Sequence, residues 1–139
     1  MSASFIIDCS MTMAWCFPDE ATVKSSQLLD RLEAETVLVP SLWFLEVTNV
    51  LAIAERRKRI TAVKADQFLS LLDNFDIEVD DTAAGRAFHH LLLLCRSHRL
   101  TSYDAVYLDL AMRRNLALAS LDDDLRREAK ALGVKLLGK

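Results

Sequence analysis

The chain has 139 residues, 52% of them hydrophobic and 27% charged, with only three Gly and two Pro, so residues 1–139 are expected to form one compact domain with a substantial core. A chain of this length buries roughly two thirds of its unfolded surface, so a metal would serve chemistry rather than folding. The net charge of −3, from 20 acids against 17 bases, argues against affinity for nucleic acid through a large positive field and leaves a nuclease open.

Phe5-Ile6-Ile7 is a short apolar run ended by Asp8, and Ser10 is placed to cap a helix from Met11 to Cys16 that Pro18 stops. From Ala21 to about Leu32, Val23, Leu28, Leu29 and Leu32 fall on one helical face, and Val37-Leu38-Val39 reads as a buried strand closed by Pro40. Ser41 then opens a helix to about Lys58. Its apolar face carries Leu42, Leu45, Val47, Val50, Leu51 and Ala54, and its basic end, Arg56-Arg57-Lys58-Arg59, suits the negative end of the helix dipole. Thr61 opens another helix with Val63, Phe68, Leu71, Leu72 and Phe75, after which Ile77 and Val79 alternate with acids as in a half-exposed strand. Thr82 is placed to cap a helix carrying Ala83, Ala87, Phe88, Leu91, Leu92 and Leu94, and Arg99-Leu100-Thr101-Ser102 leads into a helix from Ser102 to Arg114. Leu116 to Ala119 predicts a strand, Asp122 to Leu132 a last helix ended by a left-handed cap at Gly133, and Val134 to Leu137 a final strand.

Strands separated by one or two helices imply crossover connections, hence a three-layer α/β/α domain with a mainly parallel sheet of about five strands. In such sheets ligands bind beyond the carboxyl ends of the strands. Asp8 follows the first strand directly, and Asp122 follows the strand ending at Ala119 by three residues. Glu46 lies in the second turn of the helix after the second strand, and Asp104 lies in the first turn of the helix from Ser102. Parallel topology brings all four acids to one edge. Two carboxylates about 5 Å apart repel by roughly 3 kcal/mol at an effective dielectric near 20, so the four must share protons, stand apart or bind a cation. Oxygen ligands suit Mg²⁺ or Mn²⁺ rather than zinc. Such an ion polarises a phosphate and lowers the pKa of a bound water, which makes phosphodiester hydrolysis the natural reaction. Each acid also has a local structural reading. Asp104 completes a Thr-x-x-Asp pattern with Thr101, Asp8 suits a turn or cap after a strand, and Asp122-Asp123-Asp124 suits an acidic helix N-terminus. Glu46 sits amid Leu42-Trp43-Phe44-Leu45, where an unpaired carboxylate is costly.

The segments Ile7-Asp8-Cys9-Ser10, Leu45-Glu46-Val47-Thr48-Asn49-Val50-Leu51, Ser102-Tyr103-Asp104-Ala105-Val106-Tyr107-Leu108 and Ala119-Ser120-Leu121-Asp122 together resemble a PIN-domain protein of the VapC toxin type. The resemblance spans nearly the whole chain, in the family's order and with similar spacings. It implies a PIN-like fold and a Mg²⁺- or Mn²⁺-dependent endoribonuclease, the toxic half of a toxin–antitoxin pair. Such a protein acts on RNA such as tRNA or rRNA and is usually a homodimer silenced by its cognate VapB-like antitoxin. Carried over, Asp8 and Asp104 would be the core metal ligands, Glu46 a third acid and Asp122 the fourth, with Asp124 as the alternative to Asp122. Ser120 stands where the family often has Thr, and Asn49, one helical turn from Glu46, is placed to orient a ligand.

Cys9, Cys16 and Cys95 are odd in number and lack C-x-x-C spacing, and the opening MSASFIID has no basic stretch followed by a long apolar one, so a reduced cytoplasmic protein is expected. No apolar run approaches the roughly 18 residues of a membrane span. Glycines only at 85, 133 and 138 leave no phosphate-binding loop for a nucleotide cofactor. His89, His90 and His98 show no paired metal spacing and are read as surface residues, and Cys9 and Cys16 as packing residues. Trp15, Trp43, Phe44, Tyr103 and Tyr107 are expected mainly in the core, with part of the set available to a dimer or antitoxin surface. Arg56-Arg57-Lys58-Arg59, Arg96, Arg99, Arg113 and Arg114 are candidate RNA phosphate contacts, or else solvated helix ends. An aspartyl-nucleophile hydrolase or a phospho-acceptor module would want a second acid close after the first strand, where Cys9-Ser10 stand instead. A catalytically inactive interaction module would be favoured by loss of an acid, and all four are present.

Overall fold

Alternation of short apolar strands with amphipathic helices produces a five-stranded sheet in the computed structural model, which describes residues 2–139. The strands are β1 (Phe5–Ile7), β2 (Val37–Pro40), β3 (Ile77–Asp80), β4 (Ala117–Ala119) and β5 (Leu136–Leu137), in the order β3-β2-β1-β4-β5 and parallel at every pairing. The helices between them are α1 (Cys9–Cys16), α2 (Val23–Arg31), α3 (Leu42–Arg56), α4 (Ala62–Asp73), α5 (Ala83–Arg86), α6 (Leu92–His98), α7 (Ser102–Arg114) and α8 (Asp123–Ala131). The expected three-layer α/β/α architecture is therefore present, with a sheet that is wholly parallel.

Successive strand residues point to opposite faces, and the central strands are apolar on both. Phe5, Ile7, Val37, Val39 and Ala119 pack against Met11 of α1, Leu28 of α2, Trp43, Val47 and Leu51 of α3, and Phe68 and Leu72 of α4. Ile6, Leu38 and Leu118 face the other way, onto Tyr107, Leu108 and Leu110 of α7 and Leu125 and Ala129 of α8. From β1 the chain adds strands first on one side, then returns through α7 to add β4 and β5 on the other. The strand order thus reverses between β1 and β4, and the crevice where connections diverge lies beyond their carboxyl ends.

Four local expectations are corrected. Asp8, not Ser10, caps α1, its side chain accepting from the Met11 N–H. Ser41 and Thr82 stand before α3 and α5 but make no side-chain cap bond, because both already have helical backbone angles. The helix expected after Thr82 is broken into α5, a π turn over Ala87–Leu91, and α6. The extra residue of that turn shifts the apolar stripe, so that Leu91 packs against Ala105 and Val106 while Phe88 is left 88% exposed. Leu45, Val63, Phe44 and Tyr103 are also exposed rather than in the core.

Truncating Leu38, fully buried on a central strand, is expected to cost about 2–5 kcal/mol in urea denaturation. Val79→Ala on the exposed edge strand β3 should cost under about 1 kcal/mol. Equal losses at the two positions would contradict the assignment of centre and edge.

Candidate active site

Asp8 begins the site because it follows directly on the fully buried strand β1 and is itself only 4% exposed. Its backbone N–H still donates to the Ala119 carbonyl of β4 at 3.2 Å. Buried charge needs partners, and three donors meet it. The Ser10 hydroxyl and the Met11 N–H reach Oδ1 at 2.7 and 2.9 Å, and the Ser120 hydroxyl reaches Oδ2 at 2.5 Å. The two serine oxygens lie 3.3 Å apart. They accept in turn from the backbone of the segment after β4, Ser10 from the Leu121 N–H at 2.9 Å and Ser120 from the Asp122 N–H at 3.1 Å. This closes a hydrogen-bonded latch between the ends of β1 and β4. Burial nevertheless holds the Asp8 carboxyl above its usual pKa, and the charge of Asp122 adds to the effect.

The other acids come to the same field from three helices. Glu46 of α3 is half-buried, and its Oε1 accepts from the Tyr107 hydroxyl of α7 at 2.6 Å. Burial raises its pKa, and Asp8 and Asp104 raise it further. Asp122 stands at the N-cap of α8, where Oδ1 accepts from the Leu125 N–H at 3.0 Å. Asp104 is different. Thr101 caps α7 through the Asp104 N–H, but the Asp104 carboxylate itself has no hydrogen-bond donor or ion-pair partner among the described residues. Burial, followed by the charges of Asp122, Asp8 and Asp124, pushes its pKa up to about 6.

The four acids predicted from the sequence therefore share one electrostatic environment, and Asp124 joins it through Asp104. Among the described residues no three His, Cys, Asp or Glu side chains are gathered into a closed metal-binding group. Unneutralised carboxylates repel, and in this structure they stand apart, with three of the four held by separate donors. Acceptor capacity remains on each, since a carboxylate oxygen has two lone pairs. Asp8 Oδ2, Glu46 Oε2, Asp122 Oδ2 and both Asp104 oxygens are not filled. All are hard oxygen donors of the kind that suits Mg²⁺ or Mn²⁺, ions that take few protein carboxylates and retain waters.

Sequence reasoning missed Tyr107 as more than a core residue and Ser10 and Ser120 as Asp8 donors. Asn49, expected to orient a ligand, makes no side-chain hydrogen bond among the described residues. The Glu46 carboxylate is instead held by Tyr107. Cys9 sits beside Asp8, and burial together with the Glu46 and Asp8 charges pushes its thiol up to about 12, so it stays protonated and unreactive. Asp104 and Asp124 open into a groove bordered by residues 97–101 and α8, and Glu46 opens into a second recess with Leu45, Asn49 and Tyr103.

A buried aspartate at the reversal point of a parallel sheet, with further acids from three helices in its field, defines an α/β protein with a carboxylate site at the sheet edge. The PIN domain profile matches residues 5–131, and the chain belongs to the PIN domain family, a nuclease superfamily whose members typically use divalent metals such as Mg²⁺. The fold is similar to that of PAE2754 from Pyrobaculum aerophilum, seen in its crystal structure, with a TM-score of 0.71 and 22% sequence identity over 98% of this chain and 92% of that one. No curated protein matches the chain in sequence.

Two stability predictions follow from these contacts. Asp104 in the folded chain holds its proton to about pH 6, above its ordinary value of 3.8, so its ionisation weakens the fold as pH rises through that window. Asp104→Asn is expected to stabilise the protein in EDTA at neutral pH by on the order of 1 kcal/mol after solvent screening, the gain vanishing near pH 4. A neutral-pH loss in urea denaturation would contradict this. Tyr107→Phe removes the donor to Glu46 and should cost about 1–2 kcal/mol, whereas an unchanged midpoint would show that the hydroxyl contributes nothing.

Proposed function

We propose that the protein is a Mg²⁺- or Mn²⁺-dependent endoribonuclease in which Asp8, Asp104, Glu46 and Asp122 hold the metal. In this reading it acts in the cytoplasm as the VapC-type toxin of a toxin–antitoxin pair, cutting RNA such as tRNA or rRNA as a homodimer restrained by a VapB-like antitoxin. The observation that carries the reading is Asp104. In a chain of the PIN family, a half-buried carboxylate has no donor among the described residues, and burial, followed by the charges of three other acids, raises its pKa, the situation a divalent cation relieves.

When bound, such an ion supplies charge neutralisation for the phosphate and a water of lowered pKa. The chain's own residues do the rest. Ser10 and the Met11 N–H fill Asp8 Oδ1, so that Oδ2 keeps the spare lone pair, and the latch to Ser120 holds that oxygen at the crevice between β1 and β4. Tyr107 fixes Glu46 by Oε1 and leaves Oε2 available. The Asp122 cap bond similarly fixes one oxygen of that residue. Such preorganisation favours a site whose ligands need little rearrangement. The exposed apolar residues Leu45 and Tyr103, which share a recess with Glu46, support a protein partner. The three unpaired cysteines suit a reducing compartment.

The test is cleavage of tRNA, rRNA and hairpin RNAs by antitoxin-free protein with Mg²⁺ or Mn²⁺, with EDTA, and with Asp8→Asn and Asp104→Asn in parallel. Asn at position 8 is the cleaner change because its carbonyl retains the helix cap that Ala would delete at about 1 kcal/mol. Cutting should require metal and fall in both variants to the level of the EDTA control. Equal cutting by wild type and variants would refute the site.

A further inference from the structure

An acidic sheet edge repels a polyanion, so the cations nearest to it decide how RNA approaches. The structure sorts the basic residues of the sequence by position. Arg56 lies about 15 Å along α3 from Glu46 at the helical rise per residue, and Arg57 and Lys58 lie beyond it. Arg59 stacks on Phe17 at 3.8 Å and pairs with Asp19 and Glu20 at 2.9 and 2.7 Å. Arg113 pairs with Asp109 at 3.1 Å, and Arg114 with Glu78 at 2.7 Å. Arg99 is the member of this set that borders the groove holding Asp104 and Asp124. It is exposed, at the left-handed C-cap of α6, and has no ion-pair partner among the described residues.

A second cation borders the same groove. Arg127 of α8 is 66% exposed, 3.1 Å from Asp124 and 3.8 Å from Glu128, and Glu128 is also met by His98 at 3.0 Å. The acids Asp124 and Glu128 thus have basic neighbours, while Asp104 and Arg99, which line the same groove, have no ion-pair partner among the described residues. The groove measures about 380 Å³, within the range of sites that seat a small ligand.

We propose that this groove seats the RNA strand on one side of the cleaved bond, with Arg99 holding the phosphate next to the reacting one and Arg127 serving as a second phosphate contact. This rests on the ribonuclease reading above. It assigns the polyanion a path that the net charge of −3 does not suggest, because two arginines are set against the acids rather than spread over the surface. Contacts of this kind bind the backbone and carry no base preference.

The test measures binding of a short fluorescein-labelled single-stranded RNA of mixed sequence by anisotropy in EDTA over a series of salt concentrations, and steady-state cleavage of the same RNA with Mn²⁺. Arg99→Gln and Arg127→Gln are compared with Lys64→Gln, an exposed cation of α4 outside the groove. Each groove variant should bind about fivefold more weakly near 0.1 M salt and lower the log–log salt slope by about 0.7, the value for one lost phosphate contact on a single strand. KM should rise with kcat little changed, and Lys64→Gln should match wild type. Unaltered binding and KM in both groove variants, or equal loss in all three, overturns the groove while cleavage by wild type leaves the nuclease reading standing. Groove-dependent binding without metal-dependent cutting overturns the nuclease reading and leaves the groove as an RNA seat. Absence of RNA binding and cutting by wild type overturns the groove.

Discussion

Repulsion among carboxylates drawn to one edge of a parallel sheet is the constraint on which the rest of this structure turns. Each acid meets it differently. Asp8, the most buried, is surrounded by two hydroxyls and a backbone N–H. Glu46 takes a tyrosine hydroxyl from the opposing helix, and Asp122 spends one oxygen on a helix cap. Asp104 alone has only the option of holding its proton longer. Such an arrangement is tolerated by the fold but not optimised for it, which is the pattern expected where chemistry rather than stability sets the residue.

The sheet makes the arrangement possible because strand order reverses between β1 and β4, so residues more than a hundred positions apart meet at neighbouring strand ends. Away from β1 and β4 the charges are settled. Asp109, buried in α7, is held by Arg86 and Arg113 at 2.6 and 3.1 Å, and Asp80 of β3 lies 3.4 Å from Arg113. This network ties α7 to β3 and to the end of α5, with its cations already committed. Arg99, by contrast, is exposed beside the groove with no ion-pair partner among the described residues.

The parallel sheet, its five strands and the approach of Asp8, Glu46, Asp104 and Asp122 to one another were readable from the sequence, because period and crossover length are local signals. Thr61, Thr101 and Gly133 also act as the caps their positions suggested. What stayed hidden depends on distant pairings. The Ser120 hydroxyl on Asp8 and the Tyr107 hydroxyl on Glu46 join residues 112 and 61 positions apart, and no spacing encodes them. The break after Arg86 escaped because a π turn alters the register of an apolar stripe without any Gly or Pro at the turn itself to mark it. Leu45 and Phe88 read as core because apolar residues on a helical face are counted toward burial, although the face that α3 buries runs through Trp43, Val47 and Leu51.

The central claim is that these acids together hold a divalent cation, and the direct measurement is a calorimetric titration of Mn²⁺ into wild-type protein and into Asp104→Asn. A ligand that binds the folded state also raises its apparent stability, so thermal denaturation with and without Mn²⁺ reads the same event independently. The account predicts saturable binding to wild type with a matching rise in melting temperature, both lost or strongly weakened in the variant. Identical binding by the two proteins, or no binding to either, would contradict it.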